Sequence, residues 1–559
     1  MKIRIFSIML LALALASCDK YLDRLPDDRA ELDSRDKIIN LLVSAYPSAS
    51  NNLVMEVMSD NVLDNGRQYG TSILMEEIYR FKDTVEEGTD SPRSLWNSYY
   101  ESVAICNQIL AAIEDLGDTP DLAAPKAEAK MVRAYSMFML ASTFCMAWNP
   151  DKADEYLGLP YPLEPESDVN ATHTRGTLRE LYAAIDKDIE EALPNISDDY
   201  YRVPKYHFNV KAAYAFAARF NLFYMNYDKC IKYANMVLGA NPLALMRNFE
   251  PYGSLGRADI SNRYVQSSEA CNLMLLATYS LAGRNLSGGS SARFHHNYNI
   301  TAYETYWVSM PWGSGSSANT LYYSNMLYGS NQYVSFPKID EFFEYSDKVN
   351  GIGYPHIVDP IFTGDETLLC RAEAYILKKD FENGLKDMNL WVTNHCRAEN
   401  EGTVRPVLTV QNVNDFIENL DTAVVVPEGN RERSIRKAMV PQGFTIDQAP
   451  DNHVQSNILQ FLLHMRRLET IYQGLRFMDL KRYGIAYSHP VSGEDAQVFE
   501  PGDLRGAIQL PNDVINAGLQ ANPRKDSNKS GAAGILDKSD ESKPVETTLW
   551  EELSNKIYM

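Results

Sequence analysis

VKAAYAFAARFNLFYMNYDKCIKYANMVL, residues 210–238, reads as two short helices folded back on each other, and it has a counterpart later in the chain. Tyr214, Ala218, Tyr227, Ile231 and Ala234 stand at the same relative offsets as Leu368, Ala372, Phe381, Leu385 and Met388, 154 positions further on. A small residue lets two helices approach closely. An aromatic nine residues later opens the returning helix and fills the groove of the hairpin. This is the logic of a tetratricopeptide-like pair. The fold expected is all-α: a tetratricopeptide-like helical superhelix with a large loop-rich, ligand-binding insertion between its repeats.

Outward from that hairpin, apolar residues at three- and four-residue spacing predict helices over Lys37–Tyr46, Ser91–Leu116, Ala123–Ala147, Thr177–Leu193 and, further on, Asn457–Tyr472. Thr177 and Glu180 form a capping box, Ser91 precedes a first-turn proline, and Pro194 closes the helix before it. Between residues 241 and 363 glycine, serine, asparagine and tyrosine crowd in and the helical period fades. Glu399–Val454 is a second irregular stretch, and Asn522–Val545 is polar enough for a surface arm. The organisation expected is a signal peptide over 1–17, a helical region over 18–240, a loop-rich ligand-binding region over 241–363, and a helical region with irregular insertions over 364–559.

The N-terminus carries an address. Lys2 and Arg4 precede an apolar run from Ile5 to Leu15, and Leu15-Ala16-Ser17-Cys18 follows. A basic start, a run too short for a permanent span and small residues before a cysteine fit a bacterial lipoprotein signal, with Cys18 as the acylated first residue of the mature chain. The expected location is the outer membrane, with the protein lipid-anchored at the cell surface. Loss of Lys2 and Arg4 with the signal takes the formal charge from −21 to −23. Such a balance repels phosphate backbones, so nucleic acid is excluded as a partner.

Apart from Cys18, six cysteines (106, 145, 230, 271, 370 and 396) are widely dispersed without a CxxC pair, and are expected as buried free thiols. The motifs of zinc proteases, serine hydrolases, phosphate-binding loops and EF-hands are missing. Acid pairs such as Glu76-Glu77, Glu86-Glu87 and Glu190-Glu191 diverge by about 100° on a helix and cannot face one glycosidic bond. No catalytic residue and no cofactor are expected. His295 and His296 adjoin in sequence, and neighbours seldom converge on one ion.

Taken in order, the landmarks resemble the SusD/RagB family of outer-membrane nutrient-binding lipoproteins. They are the lipobox with Tyr21-Leu22; Trp96, Tyr100 and Asn107; Glu128-Ala129-Lys130 with Arg133-Ala134-Tyr135; and Asp188-Ile189-Glu190 leading to Leu193-Pro194. Asp365 through Ala374, Arg466-Arg467-Leu468-Glu469, Gly474 through Gly484, and Leu510-Pro511 complete the series. The chain departs from the pattern at Ala521-Asn522-Pro523-Arg524, where the family closes with asparagine-proline-glycine, and at Cys370. The resemblance implies a non-catalytic protein that captures oligosaccharides, or in the RagB branch peptides, and passes them to a SusC-like TonB-dependent transporter. A helical glycosidase at the same surface is the alternative from another class.

A sugar offers apolar C–H faces and a rim of hydroxyls, so its site needs flat aromatic rings flanked by hydrogen-bonding side chains. The lobe supplies Tyr298, Tyr303, Tyr306, Trp307 and Trp312 within a short span, with Tyr322, Tyr323, Asn325, Tyr328, Asn331 and Tyr333 soon after. Trp312, set between Pro311 and a glycine-serine run, is expected to be an exposed stacking platform, and Trp307 comes next. The resemblance adds Trp96 and the loop carrying Asp60, Asn61, Asp64, Asn65, Arg67 and Tyr69 to the ligand face.

Overall fold

The computed structural model describes residues 32–166, 173–288, 292–425, 433–448 and 452–525. The lipobox, Cys18 and most of the polar tail lie outside these residues. Helices come in the order α1 (Arg35–Leu42), α2 (Asn52–Met58), α3 (Ile73–Tyr79), α4 (Pro92–Asp115), α5 (Ala123–Phe144), α6 (Leu178–Ala192), α7 (Val210–Phe223) and α8 (Tyr227–Leu238). After them come α9 (Arg257–Tyr264), α10 (Tyr298–Glu304), α11 (Gly364–Leu377), α12 (Phe381–His395), α13 (Val410–Glu418), α14 (Val454–Glu469), α15 (Leu475–Tyr483) and α16 (Asn512–Asn516). The helical fold read from the sequence is borne out.

Local chemistry sets the boundaries. The Ser91 hydroxyl accepts from the Ser94 N–H to start α4, and Thr177 and Glu180 cap α6 reciprocally, as the sequence predicts. α5 stops at Phe144, three residues short of the expected end, because Cys145 turns extended. α14 runs three residues earlier than expected at both ends, and Tyr472 beyond it takes a left-handed φ of 67°.

The two hairpins related by 154 residues, α7–α8 and α11–α12, pack directly on each other through α8 and α11. Repeats far apart in sequence are neighbours in space. Their turns match in backbone conformation and capping: Met225 and Lys379 both adopt left-handed φ values, 64° and 63°, and the next residues, Asn226 and Asp380, cap the returning helices. The pairs α5–α6 and α11–α12 are each clamped by a buried bidentate bridge, Arg133 to Asp188 at 2.7 and 2.8 Å and Arg371 to Asp387 at 2.8 and 2.7 Å. Removing one partner of such a pair would leave an uncompensated buried charge.

Residues 241–363 are more ordered than expected. β2 (Asn272–Thr278), β4 (Phe342–Asp347) and β5 (Ile352–Thr363) form an antiparallel sheet in the order β2-β5-β4, and β5 runs into α11, whose cap is Thr363. Within β2, Leu273 to Ala277 is an unbroken apolar run, a pattern that periodicity cannot tell from a buried helical segment. Two-residue strands β1 (Leu63–Asp64) and β3 (Phe294–His295) tie the loop after α2 to this lobe.

The motifs behind the family resemblance prove to be core. Arg466, fully buried, lies 3.3 Å from Glu373 and 3.1 Å from Asp479, and Arg482 bonds the same two acids at 2.7 and 2.6 Å. Gly484 ends α15 at a φ of 52°, where a Cβ would meet the Val440 carbonyl oxygen at 2.0 Å, so only glycine fits. All six cysteines outside the signal are buried free thiols, as expected. No described helix is long and apolar enough to cross a membrane.

Candidate functional site

A cleft of about 750 Å³ opens on the irregular lobe, lined on one side by α10 and the loop after it and on the other by Leu420, Arg433, Ser434 and Ile435. Asn297 builds the first wall. Its side chain caps α10 by accepting from the Ile300 N–H, while its amide donates to Asn65 Oδ1 at 2.8 Å. α10 presents Tyr298 and Tyr303 to solvent, 45% and 54% exposed. Among the described residues neither phenol hydroxyl bonds protein, so both are open to a ligand.

Trp307 continues the aromatic wall, half-buried, its ring 5.9 Å from that of Tyr298 at 63°. Its orientation is fixed: the backbone N–H donates to Thr301 O, Nε1 donates to Ser324 O at 3.0 Å, and the carbonyl accepts from Gly315. The loop can double back because Gly313 sits at a φ of 116°, where a Cβ would meet the Ala318 carbonyl oxygen at 2.2 Å. Tyr298, Tyr303 and Trp307 thus all line the cleft.

The structure corrects several expected ligand residues. Trp312 is not a platform. It is 1% exposed, packed against Trp391, Phe461 and His464, because the turn through Gly313 drives the ring into the helices instead of outward. Tyr306, also 1% exposed, packs on Tyr323 and Phe336. Asp60 is buried among Lys437, Arg467 and Arg476. Burial alone would raise its carboxyl, but these three cations hold it well below the usual range.

Asp64 and Asn65 work as ties. Asp64 receives Arg293 at 3.2 Å and the Gly66 N–H, while the Asn65 amide donates to the carbonyls of Ala292 and Gln332, both at 2.6 Å. Arg67 pairs with Glu494 at the surface, 2.9 Å away, and Tyr69 is half-buried beside it. Trp96 lines a different, smaller cleft of about 340 Å³ with Tyr100, Asn107, Pro160 and Pro162. Tyr303 and Trp307 are therefore the expected site residues that meet in the large cleft, joined by Tyr298 from the wider aromatic list.

Arg433, Ser434, Ile435 and Leu420 escaped the sequence analysis. They come from the second irregular stretch, more than a hundred residues beyond the aromatics, and nothing local marks them. His295 and His296 are buried, and burial lowers both rings, to about 4 and about 3, leaving them neutral. Asp365, His395 and Glu469 converge within 4.8 Å in the core. Each is engaged by the surrounding protein: Asp365 accepts from the Arg247 N–H, Glu469 accepts from Trp391 Nε1 at 3.1 Å, and His395 Nε2 lies 3.0 Å from Glu469.

Residues 20–222 match the family SusD-like_3, described as starch-binding and associating with the outer membrane. No curated protein matches the sequence. A putative sugar-binding protein from Bacteroides vulgatus aligns with 89% of this chain and 99% of its own at a TM-score of 0.60 and 16% identity. A SusD superfamily protein from Bacteroides thetaiotaomicron aligns with 89% of this chain and 100% of its own, at 0.56 and 18%. A SusD-like carbohydrate-binding protein from Bacteroides vulgatus covers 95% and 97%, at 0.55 and 14%. The fold is therefore that of the SusD superfamily. The SusD/RagB resemblance read from the motifs is borne out, by the family match over the N-terminal part and by the fold over nearly all of the described chain.

Proposed function

We propose that this chain is a non-catalytic, surface-anchored lipoprotein that captures oligosaccharides in the large cleft and hands them to a SusC-like TonB-dependent transporter. One observation carries the binding reading: three aromatic side chains, Tyr298, Tyr303 and Trp307, arranged along an open cleft and backed by a rigid scaffold. Rings of this kind stack on the C–H faces of sugars, and the free phenol hydroxyls serve the sugar rim. The similarity to proteins named as sugar-binding supports it.

Among the described residues, the cleft's lining includes no carboxylate. A glycosidase needs a pair of them about 5 to 10 Å apart across the bond, so binding without cleavage is the reading favoured. Acylation at Cys18 supplies the anchor, with the transporter as the partner that moves the cargo.

Calorimetric titration of the protein with starch, xylan, mannan and host-glycan oligosaccharides, beside a peptide digest, tests the reading. Saturable binding of a glycan, weakened in Tyr303→Ala and without product release on prolonged incubation, supports it. Hydrolysis, or binding confined to peptides, overturns it. Metabolic labelling with a palmitate analogue, lost in Cys18→Ala, tests the anchor, and co-purification with the barrel tests the partner.

A further inference from the structure

Three side chains that play no part in the binding cleft meet in the core. Asp365 stands in the first turn of α11, His395 is the last residue of α12 and Glu469 the last of α14. One nitrogen or oxygen atom from each lies within 4.8 Å of the other two, and none of the three side chains is more than 3% exposed.

The imidazole is aimed at the two acids. Its Nδ1 lies 2.9 Å from the Trp391 carbonyl oxygen, which only accepts, so the Nδ1 proton is fixed there and the Nε2 lone pair faces inward. Nε2 is 3.0 Å from Glu469 Oε2 and 3.6 Å from Asp365 Oδ1, yet among the described residues it has no hydrogen-bond partner. Three electron-rich atoms thus face one another. Histidines that bind metal are held in this way, one ring nitrogen donating to a backbone carbonyl and the other turned to the ion.

The acids are oriented too. Asp365 accepts from the Arg247 backbone N–H at 3.0 and 3.2 Å, and Glu469 Oε2 accepts from Trp391 Nε1 at 3.1 Å. The head groups of the nearby cations bond elsewhere: the Arg247 guanidinium to the Tyr252 hydroxyl and Asn272 Oδ1, and Lys338 Nζ to the Glu469 backbone carbonyl and Gln473 Oε1. Carboxylates buried this close repel through a medium that screens poorly, and a dication between them offsets both charges.

We propose that Asp365, His395 and Glu469 bind one divalent transition metal ion, of the zinc type, which staples α11 and α12 to the end of α14. Zinc holds imidazole nitrogen and carboxylate oxygen at about 2.0 to 2.2 Å, which places tetrahedral neighbours about 3.3 to 3.6 Å apart. The separations of 3.0 and 3.6 Å bracket that spacing. The Tyr323 hydroxyl, 3.4 Å from Glu469 Oε2, is a further oxygen at hand for the fourth position and ties the irregular lobe into the joint. Calcium and magnesium favour all-oxygen sites, so the imidazole selects against them. A closed, buried set of ligands serves structure, since a catalytic ion keeps a position open to water. The site is independent of the glycan cleft.

The protein is produced in zinc-supplemented medium, freed of loosely held ions on a chelating resin and assayed for metal by mass spectrometry. The expected content is ~1 zinc per chain, with calcium and magnesium not retained. Production in cobalt-supplemented medium is expected to give the visible absorption bands of a tetrahedral cobalt site. Asp365→Asn and His395→Gln, which nearly keep side-chain size, are expected to hold zinc at least about 10-fold more weakly. Anomalous scattering at the zinc edge, from crystals of the unaltered protein, is expected to place the ion among the three side chains and decides the matter if a variant fails to fold. Protein free of zinc and cobalt after the resin overturns the site, and leaves a proton between His395 and Glu469 as the only cation there. Zinc retained equally by both variants, or a scattering peak elsewhere, overturns it as well.

Discussion

Arg433 and Glu304, 129 residues apart, meet at 2.6 Å where the cleft wall joins the core, and the carboxylate in that contact is completely buried while the guanidinium is 13% exposed. A surface loop is thereby anchored to the same cluster that fixes the loop after α2. The cleft wall and the core share one set of charges.

Replacing Glu304 with glutamine leaves Arg433, Lys437 and Arg467 gathered without their common acid. Breaking a buried pair from one side costs about 3 to 5 kcal/mol. Denaturant unfolding is expected to show a loss of that order. A variant as stable as the parent would mean that the cluster relaxes freely.

Trp312→Ala and Tyr303→Ala are expected to separate stability from binding. Emptying the Trp312 site among Trp391, Phe461 and His464 should destabilise by about 3 to 5 kcal/mol. Removing the exposed Tyr303 ring should leave the melting temperature within a degree or two and cost about 1 to 3 kcal/mol of glycan affinity. Thermal melts with titration of both variants check this. The opposite assignment, affinity lost at Trp312 with stability unchanged, would return that tryptophan to the surface.

His464 gives a pH signature. Its folded value is lowered to about 3, by burial and by Arg467 and Arg476, against about 6.5 in the unfolded chain. The unfolded state therefore binds the extra proton first. The stability associated with the neutral ring is fully present above pH 6.5 and is lost as the pH falls toward 3, by about 1.4 kcal/mol per unit. Measured against His464→Phe, which keeps the ring and removes the titration, the parent should lose stability progressively over that window. Parallel pH curves for the two proteins would refute it.

The shared turn offers a stabilising change. Lys379 holds a left-handed φ of 63° with its side chain 57% exposed, so glycine there relieves strain at small cost in contacts. Lys379→Gly is expected to gain about 0.5 to 1 kcal/mol, with Lys379→Ala near neutral because it keeps the strain. Chemical denaturation of the three proteins is the measurement.

Much of the scaffold was legible in sequence because helices announce themselves locally. A 3.6-residue period, a cap such as Thr177 with Glu180, and the recurrence of Tyr214-Ala218-Tyr227 as Leu368-Ala372-Phe381 all lie within a few turns of chain. The strand β2 was not legible, since its apolar run of five residues has no period to read. Trp312 misled for a related reason: glycine and serine around a tryptophan describe a loop without saying which way it turns.

By itself the sequence determined the helices, their repeat, the burial of the thiols and the order of motifs that resembles the SusD/RagB family, because each depends on residues near one another or on composition. Only the tertiary structure decided which aromatics reach solvent and which cation stands beside them. Tyr303 and Arg433 share a cleft because chain segments more than a hundred residues apart fold against the same core. Side-chain direction there follows from backbone turns such as the one at Gly313, which no local pattern encodes.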